Sequence, residues 1–203
     1  VILEGIVTTL SPADALNVAP MGPSIDPDLN MSRFVLRPFR TSTTYQNLKA
    51  RGEGVFHVTD DVLLLAQTAI GLAPTPTPAT RPAEVVAGKI LTDACRYYEF
   101  RVVEVDDREA RTAVIVETVA HGRLRDFFGF NRAKHAVVEA AILATRAEWL
   151  PIDELLADVH RLAVLVDKTG GPRERAAFTL LNRQIRDTAE RRELRSDPGR
   201  SPQ

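Results

Sequence analysis

The feature that most limits the fold is a change of hydrophobic period near residue 130. Upstream, apolar residues gather in short runs rich in Val, Ile, Phe, Tyr and Thr, broken by Pro and Gly. Residues 2–9, 33–39, 55–59, 84–91, 97–106 and 113–120 read as strands. Several such strands joined by short turns predict an antiparallel barrel or sandwich. Two short helices interrupt the series, near 44–51 and 61–70, with Asp60 as N-cap of the second. Residues 72–82 hold four of the 13 prolines and read as an exposed, extended loop that cannot join a ladder.

Downstream the period is helical. Asn131 is placed to cap a helix reaching about Trp149, and Pro151 suits the first turn of the next. There Ile152, Leu155, Leu156, Val159, Leu162, Ala163 and Val166 make one apolar stripe. Gly170, Gly171 and Pro172 end that helix and start another, whose apolar positions are Ala176, Ala177, Leu180, Leu181 and Ile185. Beyond Ala189 the chain is charged and reads as a frayed helix end and a disordered tail. The expected organisation is a barrel-like domain over 1–128, a helical module over 129–190 and a tail over 191–203.

Composition narrows the function. With 26 Lys and Arg against 27 Asp and Glu, there is no cationic excess to displace counterions from nucleic acid or to hold a membrane surface. The single cysteine, Cys95, cannot form an intramolecular disulfide. No apolar run approaches the roughly 20 residues that span a bilayer, and no secretory signal is visible, so a cytoplasmic soluble protein is expected.

Phosphate-loop, dinucleotide-binding, nucleophile-elbow and zinc-protease signatures are all missing. His57 with Asp60 and Asp61 is the nearest approach to a metal cluster, and a strand histidine followed by a capping aspartate explains it better. The most informative segment places four hydroxyls (Thr41, Ser42, Thr43, Thr44) where a strand meets a helix, with Arg37 and Arg40 just before. Free amides of a helix N-terminus, hydroxyl donors and a guanidinium together suit a phosphate. Helix capping by one hydroxyl is the alternative. Asn17, Val18, Ala19, Pro20, Met21 and Gly22 combine a polar side chain, small residues and a fixed bend, which fits either a turn or a flat ligand lying against backbone. Lys168 and Thr169 precede Gly170 and Gly171 at another helix start, where a helix C-cap competes with an anion contact. Arg132 follows the cap Asn131 and is either solvated or paired with an anionic ligand. His121 ends a strand, as a surface residue or a proton donor facing a cleft. Tyr45, Trp149 and the Phe127–Phe128 pair read as core or interface aromatics.

The run Asn17 to Met21, then Thr44-Tyr45-Gln46-Asn47 leading into Gly54 to Val58, resembles the flavin-reductase type of FMN-binding split barrel. LEGIVTT at 3–9, APMG at 19–22, TDDV at 59–62, FNRA at 130–133, VEAAI at 138–142 and VDKTGG at 166–171 are similar to an uncharacterised family, domain of unknown function 447. That resemblance spans nearly the whole chain to about residue 185. It implies a mainly β fold with α: an antiparallel, Greek-key split barrel plus C-terminal helices. It also implies bound FMN, usually in a homodimer with the flavin near the interface, and no assigned reaction. Carried over, Thr41 to Thr44 and Asn47 would hold the phosphate and ribityl chain, with Asn17 to Gly22 along the isoalloxazine ring. Arg40, Arg132, Lys168 and Thr169 are further candidates toward the cofactor or an unknown small-molecule substrate. Two departures from the reductase pattern, Gly22 in place of Ser and Ser42-Thr43 in place of Lys-Asp, put nicotinamide-driven reduction in doubt. Three functions follow: an FMN-dependent oxidoreductase, a non-catalytic FMN binder or carrier, and a dimeric interaction scaffold.

Overall fold

The computed structural model describes residues 1–127 and 129–196. The chain divides into two compact units, one of Val1–Asp60 and Thr75–Phe128, the other of Asp61–Pro74 and Gly129–Gln203. Phe128 and the tail beyond Ser196 lie outside the described residues.

Among the described residues the first unit carries eight strands: β1 (Gly5–Leu10), β2 (Leu16–Met21), β3 (Arg33–Leu36), β4 (Glu53–Val58), β5 (Thr80–Pro82), β6 (Lys89–Leu91), β7 (Arg96–Asp106) and β8 (Ala113–Arg123). Six make one sheet in the order β2-β1-β4-β7-β8-β3, every pairing antiparallel. Its inner face buries Val7, Phe34, Leu36, Phe56, Phe100, Val114 and Val116 in one cluster. Phe34 meets Phe100 edge-on at 5.7 Å and Phe56 at 5.9 Å. Each ring taken from water stabilises the sheet by about 1.5–3 kcal/mol.

The expected barrel is not closed. Among the described residues, direct bonding between the two sheet edges is confined to one residue pair, in which Ser24, just past β2, exchanges backbone bonds of 2.8 and 2.9 Å with Val35 of β3. Pro23 and the short β3 leave too little backbone for a longer ladder.

Three other expectations are corrected in this unit. Residues 80–82 do join a ladder, pairing with Lys89–Leu91, because Pro82 sits at the end of a two-stranded ribbon where its missing N–H costs little. Only Lys89–Leu91 of the expected 84–91 strand is extended. The amides of Glu84, Val85 and Val86 turn instead onto the Glu99 carboxylate at 2.7, 2.7 and 3.1 Å. Residues 16–21, for which a turn was one of the two readings, form an edge strand, a place where Pro20 is tolerated.

Helix α1 (Thr43–Arg51) is capped by Ser42, whose hydroxyl accepts the Tyr45 N–H at 3.2 Å. Gly52 ends it at φ 71, a left-handed conformation suited to glycine, and donates to Leu48 O at 2.8 Å. The buried Tyr45 donates its phenol proton to Asp107 at 2.5 Å, and Lys49 donates to the same carboxylate at 2.9 Å. The bonds to Asp107 and Tyr45 push the Lys49 pKa up to about 12. The helix is thus fastened to the turn after β7.

His57 on β4 is fully buried. Its Nδ1 lies 3.2 Å from Ile6 O, and its Nε2 accepts the Leu91 N–H at 3.0 Å, which fixes the neutral tautomer with the proton on Nδ1. Burial lowers its pKa from 6.5 to about 4. The unfolded chain therefore takes up this proton first as pH falls. Stability is complete above about pH 6.5 and is lost progressively toward pH 4, by as much as about 3 kcal/mol. Urea unfolding of wild type and His57→Phe across that window is expected to show a slope in the wild type that is shallower in the variant. Equal slopes would contradict this assignment.

The second unit holds α2 (Val62–Ala69), α3 (Arg132–Arg146), α4 (Ile152–Thr169) and α5 (Pro172–Ser196). Asn131 caps α3 as expected, accepting the Lys134 N–H at 3.0 Å. Ala133, Ala136, Val137, Ala140 and Ala141 give α3 a buried face of small residues. Leu155, Val159 and Val166 do the same for α4, on the expected stripe. Gly170 sits where a Cβ would lie 2.6 Å from Val166 O and 3.3 Å from the Ala133 Cβ, so only glycine permits this approach.

Three readings change here. The N-cap of α2 is Asp61, which accepts the Leu64 N–H at 3.1 Å and pairs with Arg173 of α5 at 2.5 Å. Asp60 instead pairs with Arg125 in the first unit. Helix α2 packs against α3 and α5, so it belongs with the helices and not with the sheet. Helix α5 continues to Ser196, past the expected fraying point at Ala189. No helix among the described residues is long and apolar enough to cross a membrane.

Candidate functional site

Helix α1 packs against β1 and β2, and at that junction the sheet presents polar residues in an otherwise apolar layer. Thr9 of β1 is 1% exposed, and Thr44 and Asn47 of α1 are 3% and 4% exposed. Asn17 of β2 faces Thr9 across the ladder. Its Nδ2 donates to Thr9 Oγ1 at 3.2 Å and to Thr44 Oγ1 at 3.1 Å. Asn47 Nδ2 donates to the same Thr9 oxygen at 3.0 Å. Three of the sequence-predicted residues, Asn17, Thr44 and Asn47, are therefore joined in one network, and the hub is a residue that sequence reading missed. The signals for Thr9 are a pair of hydroxyls, Thr8-Thr9, inside an apolar strand, and its place at the end of the LEGIVTT motif.

The N-terminus of α1 adjoins this network through Thr44. Ser42 serves as the cap, so the plain capping reading holds for that one hydroxyl. Thr41 and Thr43 are exposed. Among the described residues the amides of Thr43 and Thr44 have no protein acceptor, as first-turn amides commonly do. Arg40 is exposed beside them, with its Nη1 3.3 Å from Asp107 O, and its own carbonyl accepts from Gln46 at 2.9 Å. Two free amides, exposed hydroxyls and a guanidinium make a candidate anion cradle.

Val18, Ala19, Pro20 and Met21 run on from Asn17 along the sheet edge, all partly exposed. Gly22 has a local reason: a Cβ there would stand 2.8 Å from the Ile2 side chain and 3.0 Å from a Glu4 carboxylate oxygen. Its lack of a side chain thus serves the approach of the N-terminal segment.

Arg132, Lys168 and Thr169 lie in the helical unit. Arg132 and Lys168 are exposed. The Thr169 hydroxyl donates to Leu165 O at 2.8 Å, and its carbonyl accepts from Asn131 Nδ2 at 3.2 Å. The Gly171 amide is taken by Glu174 at 2.9 Å, and Lys134 pairs with the same carboxylate group at 2.9 Å. The anion at that helix start is supplied by the chain itself.

His121 is exposed on β8, with its ring 6.0 Å from that of Tyr98. Both line an open cleft of about 320 Å³ together with Met31, Ser32, Arg96 and Thr118. Tyr45 is buried, Phe127 is half exposed and Trp149 is 77% exposed. Among the described residues no group of three His, Cys, Asp or Glu is placed to hold a metal ion.

No curated protein matches the chain. The FMN-bound protein MM1853 from Methanosarcina mazei, of the same family model, superposes with a TM-score of 0.76 at 21% identity, covering 90% of this chain and 94% of its own. The flavin reductase of styrene monooxygenase from Pseudomonas putida S12 gives 0.51 at 13% identity, over 60% of this chain and 80% of its own. Flavoredoxin from Methanosarcina acetivorans gives 0.50 at 10% identity, over 60% and 68%. At these identities the likeness is one of fold. Residues 3–125 match the N-terminal domain model of "Protein of unknown function (DUF447)" and residues 131–183 match the second DUF447 model, so the chain belongs to the DUF447 family.

Proposed function

We propose that the protein is an FMN-binding flavoprotein of the split-barrel kind, working as an oxidoreductase on a small-molecule substrate. The observation that carries this is the junction of α1 with β1 and β2, where an anion cradle and a neutral polar network share Thr44. A phosphate joined to a hydroxyl-bearing chain suits that juxtaposition. The polar groups fit: the amides of Thr43 and Thr44, the Thr41 and Thr43 hydroxyls and Arg40 as donors to phosphate, and the Asn17 and Asn47 carboxamide oxygens, their nitrogens held by Thr9 and Thr44, for the neutral portion. The fold shared with an FMN-bound member of the family supports the same reading. Bound flavin supplies the electron chemistry, while the protein binds, orients and shields it. Val18 to Met21 offer edge-strand backbone on which a flat ring can lie.

A homodimer with the flavin near its interface belongs to this proposal. It is supported by the exposed apolar side chains Val103, Val105 and Val119 on the β7–β8 hairpin, 50%, 37% and 38% accessible.

Fluorescence titration with FMN and riboflavin tests the cradle. Arg40→Ala is expected to weaken FMN about fivefold, the loss of one exposed charge-assisted contact, and to leave riboflavin unchanged. Equal effects on both ligands would remove the phosphate from this helix start. Turnover is tested by anaerobic reduction of the FMN-loaded protein with NADH and NADPH, followed by a screen of electron acceptors. Reduction and reoxidation at catalytic rates support the enzyme; inertness to every donor and acceptor leaves the carrier.

A further inference from the structure

We propose that Thr9 is a positioning residue that turns the Asn17 and Asn47 amides into a paired acceptor site, so that this network reads the hydroxyl-bearing chain of its ligand and not the phosphate. The inference rests on the flavin reading above and deepens it.

A threonine oxygen has two lone pairs, and Thr9 Oγ1 receives one amide proton from Asn17 at 3.2 Å and one from Asn47 at 3.0 Å. The second Nδ2 proton of Asn17 goes to Thr44 at 3.1 Å. A carboxamide is planar, so fixing its nitrogen fixes its oxygen on the other side. Among the described residues neither Oδ1 accepts a bond from the protein. No buried side-chain nitrogen or oxygen among the described residues lacks a partner. Both oxygens therefore reach the surface of the network as unpaired acceptors, though Asn47 as a whole is only 4% exposed.

Two acceptors suit a ligand group that donates. Hydroxyls do so; a phosphate oxygen facing a carboxamide oxygen is repelled. The phosphate is then left to the α1 amides, which only donate. Thr44 sets the order of the parts, because its amide belongs to the anion cradle and its hydroxyl to the network. The ligand group bound at the network is thus the one next to the phosphate, which in FMN is the ribityl chain.

The test is fluorescence titration of FMN and riboflavin into wild type, Thr9→Val and Thr9→Ser. Valine keeps the shape and removes the acceptor. It is expected to weaken both ligands by the same factor, about tenfold or more, while serine, which keeps the hydroxyl, stays within about threefold of wild type. A role in packing alone would not give equal losses for two ligands that differ only by phosphate together with rescue by serine. Unchanged binding in Thr9→Val, or a loss confined to FMN, overturns the inference while leaving flavin binding intact. Should Thr9→Val fail to fold by circular dichroism, Asn47→Ala decides. Equal loss of both flavins supports the inference, and a loss of FMN alone overturns it. Wild type that binds neither flavin overturns the flavin reading itself, and this inference with it.

Discussion

Asn47→Ala and Thr44→Ala are each expected to weaken FMN binding roughly ten- to hundredfold, that is, by about 1.5–3 kcal/mol. Each substitution acts twice. It deletes a group that would face the ligand, and it breaks the network that aims the remaining ones: without Asn47, Thr9 loses its 3.0 Å bond, and without Thr44 the Asn17 amide loses its 3.1 Å bond. The residues are 4% and 3% exposed, so water replaces the missing partners poorly. Much of the loss falls on the dissociation rate, as it commonly does for contacts made inside a site. Isothermal titration of FMN into each variant measures the effect. Wild-type affinity in both variants would remove the ligand from this junction.

Glu99→Ala is expected to be among the most destabilising substitutions in the first unit. The side chain is fully buried, yet its carboxylate is satisfied by three consecutive amides, those of Glu84, Val85 and Val86. The next amide, of Ala87, goes to Glu53 at 3.1 Å. Removing Glu99 leaves a turn whose donors face a hole, and an unmet buried donor costs about 1–3 kcal/mol. Partial access of water to the first two amides limits the sum. A loss of about 3 kcal/mol is expected, which for a chain of this size lowers the melting temperature by roughly 10 °C. Glu99→Gln keeps the shape and one good acceptor, so its loss is expected to be about half as large. Chemical unfolding of the three proteins checks the order. An alanine variant within about 1 kcal/mol of wild type would show that the turn stands without its carboxylate.

What the sequence made legible was what nearest neighbours decide. The switch from strand to helical period, the Asn131 cap, the Gly170 stop and the apolar stripe of α4 depend on residues within a turn or two of each other. Errors came where a distant partner decided. Residues 84–87 have the composition of a strand, but carboxylates at Glu99 and Glu53 claim their amides. Residues 80–82 look like a proline loop, but the ladder to Lys89–Leu91 needs little from Pro82. Helix α2 is apolar on nearly every side, and that composition does not say that α3 and α5 will cover it. The site shows the same division. Hydroxyls and arginines around residues 40–44 form a local pattern that the sequence displays; Thr9 stays hidden because its partners lie 8 and 38 residues away. At Gly22 a second reason for the missing side chain lies in Ile2 and Glu4, remote in sequence, which a Cβ would meet.

The visible absorption spectrum of the purified protein, taken before and after addition of FMN and removal of excess by gel filtration, tests the central claim most directly. Flavin bands that co-elute with the protein, shifted or structured relative to free FMN, are the predicted result, and they should weaken in Asn47→Ala. A colourless protein after micromolar FMN and gel filtration would contradict the proposal and leave the sheet-and-helix fold in search of a different ligand.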